Sequence, residues 1–434
     1  MTTLRTFALA SFIVPTTLLG QAPTALRADI DRRVAAVMPK VIEWRRDFHA
    51  HPELSNREER TGRVVAERLR ALGIEVRHPV ARTGVVGVLR GGRPGPVVAL
   101  RADMDALPVA EEVDVPFRSR ARTTFNGQDV GVMHACGHDA HTAMLLGAAE
   151  VLVAMKAQLA GTVVLLFQPA EEGPPTGETG GAPMMIAEGA LDNPKVDAVF
   201  GLHVFANLPS GELHYKPAGI MASSDQVRIV VRGRQTHGAM PWQGVDPVVV
   251  SSQIVMGLQT ITSRQTDVTL APAVVTIGMI QGGIRFNIIP DSVVMLGTIR
   301  AFDPAMQQSI HARVKRTAES IAQSAGATAD VAITIGNPVT YNDPALTARM
   351  APTFQRVAGE GRAVPAQVTT TAEDFAVYQK RVPGVFAFLG ITPADSVGRV
   401  AANHSPRFRI DESALPVGVK AYAHLAVDFL SGSR

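Results

Sequence analysis

Apolar and polar positions follow two different patterns along this chain. From about residue 29 to residue 213, stretches with helical spacing alternate with short apolar runs. Residues 41–49 and 58–72 carry the three- and four-residue spacing of amphipathic helices. Residues 97–101, 162–167 and 198–203 are short apolar runs that predict buried strands, and the Ala-, Leu- and Met-rich segment 140–159 predicts a helix. Strands separated by helices imply an α/β layer around a largely parallel sheet.

The pattern changes between about residues 215 and 337. A strand at 226–233 precedes a helix at 247–263 with Val, Ile, Met and Leu on one face. Strands at 273–280 and 293–301, a charged amphipathic helix at 304–325 and a strand at 331–335 follow. Strand, helix, strand, strand, helix, strand is the order of a ferredoxin-like α/β sandwich. After residue 342 the helix–strand pattern returns, at 344–359, 384–390 and 413–430. The expectation is a two-domain α/β protein, with a discontinuous domain (29–213 and 342–434) and a ferredoxin-like insertion (214–341).

Composition changes this picture little. The chain has 434 residues, too many for one ordinary core, and 46% hydrophobic against 19% charged residues is a globular balance. A net charge of +3 without a basic block gives no reason to expect a nucleic-acid partner. The N-terminus stands apart: a basic start within residues 1–5, an apolar run over 7–19 broken by Pro15, then Gly20-Gln21-Ala22. That is the order of a secretory signal, and the run is short of the roughly 20 apolar residues of a membrane span. A signal over residues 1–22 is expected, giving an exported protein, periplasmic or secreted, with no membrane partner once the signal is removed. Cys136 is the one cysteine, so no internal disulfide can form.

Its neighbours suggest a use for that thiol. His134-Ala135-Cys136-Gly137-His138-Asp139-Ala140-His141 concentrates His and Cys just before a predicted helix, with Asp139 placed to cap it. Thiolate and imidazole are favoured ligands of zinc and related metals, and Gly137 lets a turn aim Cys136 and His138 at one point. Glu171 and Glu172 follow the strand at 162–167, where ligands of open α/β sheets bind. Adjacent carboxylates there can divide the work, one ligating a metal and the other moving protons. His203 ends an apolar strand and His404 lies in a loop, Ala402-Asn403-His404-Ser405-Pro406. Either alone would pass for an ordinary histidine. Together, Cys136, His138, Glu172, His203 and His404 all fall at strand ends or loops of one expected domain. Thiol hydrolysis with Cys136 as nucleophile, and a metal-binding module without catalysis, remain open on these residues alone.

Several stretches together resemble the M20 metallopeptidase superfamily, in particular its branch of hippurate hydrolases, N-acyl-L-amino-acid amidohydrolases and plant auxin-conjugate hydrolases. They are Trp44 to Glu53, Leu100-Arg101-Ala102-Asp103-Met104-Asp105-Ala106-Leu107-Pro108, the Cys136/His138 block, the Glu171/Glu172 pair and Gly201-Leu202-His203. Gly238-Ala239-Met240-Pro241, Phe286-Asn287-Ile288-Ile289-Pro290 and Asn403-His404-Ser405-Pro406 continue the match in order. The resemblance implies a metallohydrolase domain carrying an inserted lid or dimerisation domain, and a homodimer through it. It implies two divalent metal ions per chain, zinc or manganese, with cobalt or nickel also compatible. Cys136 would bridge them, His138 and His203 completing one site, Glu172 and His404 the other. Glu171 would be the general base and His237 the oxyanion donor, reaching the neighbouring chain. Asn287 and Arg300 would bind a substrate carboxylate. Arg101 stands where other M20 enzymes have a metal-binding His, so Asp103 would orient a neighbour instead of ligating. Glu373 and Asp374 would support the site from behind, while His49, His51, His141, His214 and His311 would be surface or helix residues. The implied substrate is an N-acyl or N-aroyl amino acid, with short peptides, cleaved by a carboxypeptidase or dipeptidase, as the alternative.

Overall fold

The computed structural model describes residues 22–432. The expected signal segment lies outside the described residues except for Ala22. That residue is buried, and its backbone N–H donates to Asp428 Oδ1 at 2.8 Å.

A central eight-stranded sheet organises the larger part of the chain. Its middle is parallel: Ala160–Gln168, Arg93–Asp103, Ala198–Pro209 and Gly384–Thr392 lie side by side. Antiparallel pairs add Glu75–Val80 and Gly84–Arg90 at one edge and Leu213–Tyr215 near the other, where Ala363–Pro365 ends the sheet parallel to Leu213–Tyr215. The edge strands were not visible as strands in the sequence pattern. Both faces of the sheet are covered, which explains why its strands are continuous apolar runs. Val98, Leu100, Val163, Leu165, Phe167 and Phe200 point into a core shared with the helices Thr24–Ala50, His138–Ala154 and Leu415–Ser431. Ala99, Val164, Leu166, Val199, Phe386 and Phe388 point to the opposite core, closed by Gly181–Ala187 and Phe375–Gln379. Gly147 and Gly418 allow the first layer to close, since a Cβ on Gly418 would sit 2.0 Å from Met144 Sδ.

The inserted unit is a four-stranded antiparallel sheet in the order Ala273–Gly282, Ser292–Ala301, Asp225–Arg232, Thr328–Thr334. Helices Pro247–Thr260 and Pro304–Ser324 cover one face through Val250, Ile254, Leu258, Ile310 and Val314 against Val227, Ile229 and Val231. This is the ferredoxin-like arrangement the element order implied. The strands Ala218–Met221 and Thr340–Asn342 pair antiparallel where the chain enters and leaves it. Residues 214 and 215, expected within the insertion, belong to a strand of the large sheet. Among the described residues, no helix is long and apolar enough to cross a membrane.

Candidate metal centre

The candidate ligands converge at the carboxyl end of the parallel strands. Asp103 and Gln168 end neighbouring strands in register, and Glu171 and Glu172 follow directly. Three residues with positive φ shape the turns: Gly137 at 98°, Ala170 at 53° and His404 at 69°. At Gly137 this requires glycine, because a Cβ would lie 2.3 Å from Val204 Cγ2. Ala170 and His404 adopt a conformation unusual for their residue types, directly beside candidate functional groups.

Cys136, His138 and His203 bring their ligand atoms within 4.8 Å of one another, and Cys136, Glu172 and His404 do the same. The two triads share the buried Cys136 sulfur, with His203 Nε2 and His404 Nε2 each 3.3 Å from it. His404 Nε2 also lies 3.1 Å from Glu172 Oε1. The imidazoles are set up as ligands. His203 Nδ1–H donates to the Val204 carbonyl at 2.9 Å, which leaves Nε2 facing the thiol. His138 Nδ1 lies 3.2 Å from Asp105 Oδ1, while its buried Nε2 has no hydrogen-bond partner. A buried ring nitrogen without a partner, grouped with the Cys136 thiol and His203, fits a cation. Burial alone would lower the His138 imidazole, but Asp103 and Asp105 push it up to about 10. Burial holds His203 well below the usual imidazole range, His141 adding to the effect. Burial likewise pushes the Cys136 thiol well up, with Glu172, Glu171 and Asp103 reinforcing it. A free nucleophilic thiolate is found in the opposite, electropositive environment.

Glu171 stands beside these triads at a cavity of about 550 Å³, whose walls include Phe205, Met221, Pro183 and Thr371. Burial raises its carboxyl well above the usual range, as do Glu373, Glu172 and Asp374, with Arg101 acting the other way. Arg101 is fully buried and donates to Asp103 at 2.6 Å, Glu373 at 2.8 Å, Asp374 at 3.0 Å and Gln168 at 2.9 Å. Asp103 also meets His141 Nδ1 at 2.5 Å. Its nearest approach to His138 Nε2 is 3.8 Å.

Not every residue singled out in the sequence comes to this cavity. His237 is exposed in the inserted unit, in a two-strand ladder in which it pairs with Ile288. Asn287 adjoins it, its carbonyl accepting from Gly238 N at 2.8 Å. Neither lines the cavity of its own chain. Arg300 lies elsewhere, at the root of the insertion, where Nη1 reaches the Ser223 carbonyl at 3.4 Å.

Other expectations need correction. Asp139 does not cap the helix, whose N-cap is Gly137. It is buried and accepts from Arg45 at 2.8 Å, with His49 Nδ1 at 2.9 Å. Burial alone would raise the Asp139 carboxyl, but Arg45 and His49 overcome it and hold it well below the carboxylate range. His49 and His141 lie on helices, as expected, with their side chains buried in the core. His49 joins Asp139 to Glu111, and His141 joins Asp103 to the Val204 amide. His311 reaches the buried Asp225 at 2.8 Å. His51 is exposed beside Asp47, and His214 is half-buried beside Glu212.

Three supporting residues had no assigned role in the sequence. Asn403 donates to the Cys136 and Val204 carbonyls and so fastens the His404 loop. Glu58 is fully buried and accepts from Ala170 N at 2.8 Å and Asn56 N at 3.0 Å. Asp105 holds His138. Asp105 and Asn403 both lie inside motifs already quoted, so position beside a ligand was the available signal; Glu58 carried none.

Comparison with known proteins agrees with this geometry. Residues 99–428 match the family described as peptidase family M20/M25/M40. The chain is 42% identical to thermostable carboxypeptidase 2 of Saccharolobus solfataricus over 90% of this chain and 95% of that one. It is 40% identical to IAA-amino acid hydrolase ILR1-like 2 of Arabidopsis thaliana, over 91% and 87%. Among solved structures, the YXEP protein of Bacillus subtilis, a dinuclear metal binding peptidase from the M20 family, superposes with a TM-score of 0.78. It shares 36% identity over 91% of this chain and 99% of that one.

Proposed function

As the chain belongs to peptidase family M20/M25/M40, we propose that it is a metal-dependent amidohydrolase cleaving the amide bond of N-acyl or N-aroyl amino acids. The observation that carries this reading is the pair of triads sharing Cys136, with Glu171 outside both and grouped with His138 and Glu172 at their side. Cys136, His138 and His203 would hold one divalent cation, and Cys136, Glu172 and His404 the other. Such cations supply Lewis-acid polarisation of the amide carbonyl and lower the pKa of the attacking water. Glu171 takes the proton from that water and delivers it to the leaving amine. Arg101, Asp103, Glu373 and Asp374 support Glu171 from behind. The mixed sulfur, nitrogen and oxygen donor set suits zinc, and manganese, cobalt or nickel are compatible with the nitrogen and oxygen donors.

The remaining groups belong to a homodimer in this reading. His237 donates to the developing oxyanion of a partner's site, and Asn287 travels with it. Arg300 joins Asn287 in binding the substrate carboxylate. The apolar surface of the inserted unit supports the pairing. Val250, Ile254 and Leu258 of the helix Pro247–Thr260 turn inward to the unit's own core. Val248, Val249 and Met256 remain exposed on the same helix, as do Met279 and Ile280 on the edge strand.

Chelation should abolish hydrolysis of a hippurate-type substrate, and adding back divalent metal should restore it, with about two metals per chain by elemental analysis. Full activity in a rigorously metal-free preparation would exclude this mechanism. A second reading, cleavage of short peptides, draws on the relative named as a carboxypeptidase. Faster turnover of dipeptides than of acyl amino acids would favour it. Export is also proposed, from the order of residues 1–22. Intact mass of the exported protein should place its N-terminus at or near Pro23, whereas a start at Met1 contradicts cleavage.

A further inference from the structure

The ladder that carries His237 and Asn287 is bordered by apolar surface that the inserted unit does not bury. Asn287 ends a loop in which Ile284 is 98% exposed and Phe286 is 96% exposed. Met240 and Trp242, in the turn that follows His237, are exposed as well. The loop is nonetheless held in shape. Gly238 N donates to the Asn287 carbonyl at 2.8 Å, and Ile288 N donates to the Arg285 carbonyl at 3.2 Å. His237 Nδ1 accepts from Ala239 N at 3.0 Å, which puts the ring proton on Nε2. Clustered apolar side chains left in solvent mark a surface that meets something.

Charge indicates what it meets. Glu171, Glu172, Glu373 and Asp374 line the cavity, and among the described residues no lysine or arginine lines it. It therefore suits the neutral acyl end of an N-acyl amino acid, against Phe205, Met221 and Pro183, and offers the carboxylate end no cationic side chain. The amino-acid end then faces outward, toward the ladder that brings His237 to the amide carbonyl and Asn287 to the carboxylate. Consecutive Cα atoms are about 3.8 Å apart, so Phe286 borders whatever Asn287 holds. Between the amide nitrogen and that carboxylate stands one substituent, the amino-acid side chain.

We propose that Phe286 and Ile284 form, in the partner's site, the apolar wall that receives this side chain, so that the enzyme selects N-acyl derivatives of apolar amino acids such as leucine. The inference rests on the homodimer reading above, with His237 and Asn287 acting in the neighbouring chain. Arg285, between the two apolar residues, is also exposed. An acidic side chain is therefore the competing ligand, and the test separates the two.

The experiment measures kcat/KM of the metal-loaded full-length protein on N-benzoyl-glycine, N-benzoyl-leucine, N-benzoyl-glutamate and N-acetyl-leucine. Wild type should favour leucine over glycine and over glutamate. Loss of one methylene's contact in an apolar pocket costs about 10- to 200-fold, so Phe286→Ala and Ile284→Ala should each lower the leucine-to-glycine ratio by about 10-fold or more. Both residues are almost wholly exposed, so neither substitution disturbs a core. The benzoyl-to-acetyl ratio on leucine should not move. Adding excess Glu171→Gln to Phe286→Ala, with subunit exchange, then tests the geometry. The working site of the mixed dimer combines Glu171 of one chain with the intact loop of the other, and its leucine-to-glycine ratio should return to the wild-type value.

An unchanged leucine-to-glycine ratio in both variants overturns the proposal, as does a change that follows the acyl group instead. Dissociation of the variants into monomers, measured by sedimentation, would make these residues subunit contacts and overturn it too. A wild-type preference for glutamate that Arg285→Ala abolishes would make the contact ionic, with the same consequence. An altered ratio that the mixed dimer does not correct places the loop in its own chain's site. A wild-type protein that is monomeric, or that cleaves none of these amides, overturns the reading beneath the proposal as well.

Discussion

At the scale of single residues, the site depends on buried carboxylates whose environments push them in opposite directions. Asp139 is held ionised by Arg45 and His49, whereas Glu58 is pushed up to about 8, by burial first and then by the charge of Asp105. The raised group has a predictable effect on stability. Its folded pKa lies above its unfolded value, so its contribution is fully present below about pH 4.5 and is lost as pH rises through about 8. Each unit of difference corresponds to about 1.4 kcal/mol, so the resulting slope is measurable. Glu58→Gln should remove it. A glutamine can accept from Asn56 N and Ala170 N and donate to Thr83 Oγ1, the residue that now donates to Glu58 Oε2 at 2.6 Å. Thermal unfolding of the metal-free proteins at pH 5 and pH 8.5 should show the variant gaining on wild type at the higher pH. Parallel pH dependence in the two proteins would mean that Glu58 does not titrate in this range. Glu58 illustrates what sequence reading passes over: nothing marks it except the fold that buries it and points it at Ala170.

Elements were far more legible than contacts. Three helices open with the same local device, an Asp N-cap followed by Pro, at Asp246-Pro247, Asp303-Pro304 and Asp343-Pro344. Each Asp accepts from free amides of the first turn, Asp343 from Leu346 N at 2.7 Å and Asp303 from Met306 N at 2.8 Å. Pro then occupies a position whose N–H would be unpaired in any case. Replacing Asp343 or Asp303 by Ala should each cost about 1 kcal/mol in denaturant unfolding, without loss of activity. A change below a few tenths of a kcal/mol at both positions would show that packing alone sets these helix starts. The start of the metal-loop helix follows a different logic. Its N-cap is Gly137, and Asp139, which local pattern marks as a cap, is drawn instead into the buried pair with Arg45. Tertiary charge pairing overrode local preference there.

For the whole molecule, the question is how His237 and Asn287 serve a site they do not line. His237 and Asn287 stand together on the inserted unit, while the cavity beside Glu171 is walled by the larger domain with Met221 and Asn337 from the root of the insertion. If they act in a partner's site, two inactive variants should complement each other. Glu171→Gln should lose about 100- to 10,000-fold in turnover and His237→Ala about 100- to 1,000-fold, both with metals retained. Mixed and allowed to exchange subunits, they form a heterodimer with one site lacking both groups and one site complete. Activity should recover toward half that of a wild-type dimer for each mixed dimer. Absence of recovery, with exchange demonstrated, would place His237 in its own chain's chemistry or outside it.

The amino-acid order by itself determined the fold class, the ferredoxin-like order of the inserted unit and the cluster of Cys136, His138, Glu171, Glu172, His203 and His404 as candidates. Those features are local, written in apolar spacing, cap residues and short motifs that need no knowledge of the rest of the chain. Only the tertiary structure decided which groups meet. Cys136 and His404 are 268 residues apart, and Arg101 and Glu373 are 272 apart. Their meeting depends on the register of the parallel strands and on how the Asn403 and Glu373 loops pack over the strand ends. The same packing made His49 and His141 core residues, gave Asp105 its hold on His138 and left His237 on an exposed ladder. Partners this distant leave no periodic trace along the chain, because long-range packing joins them and local conformational preference does not.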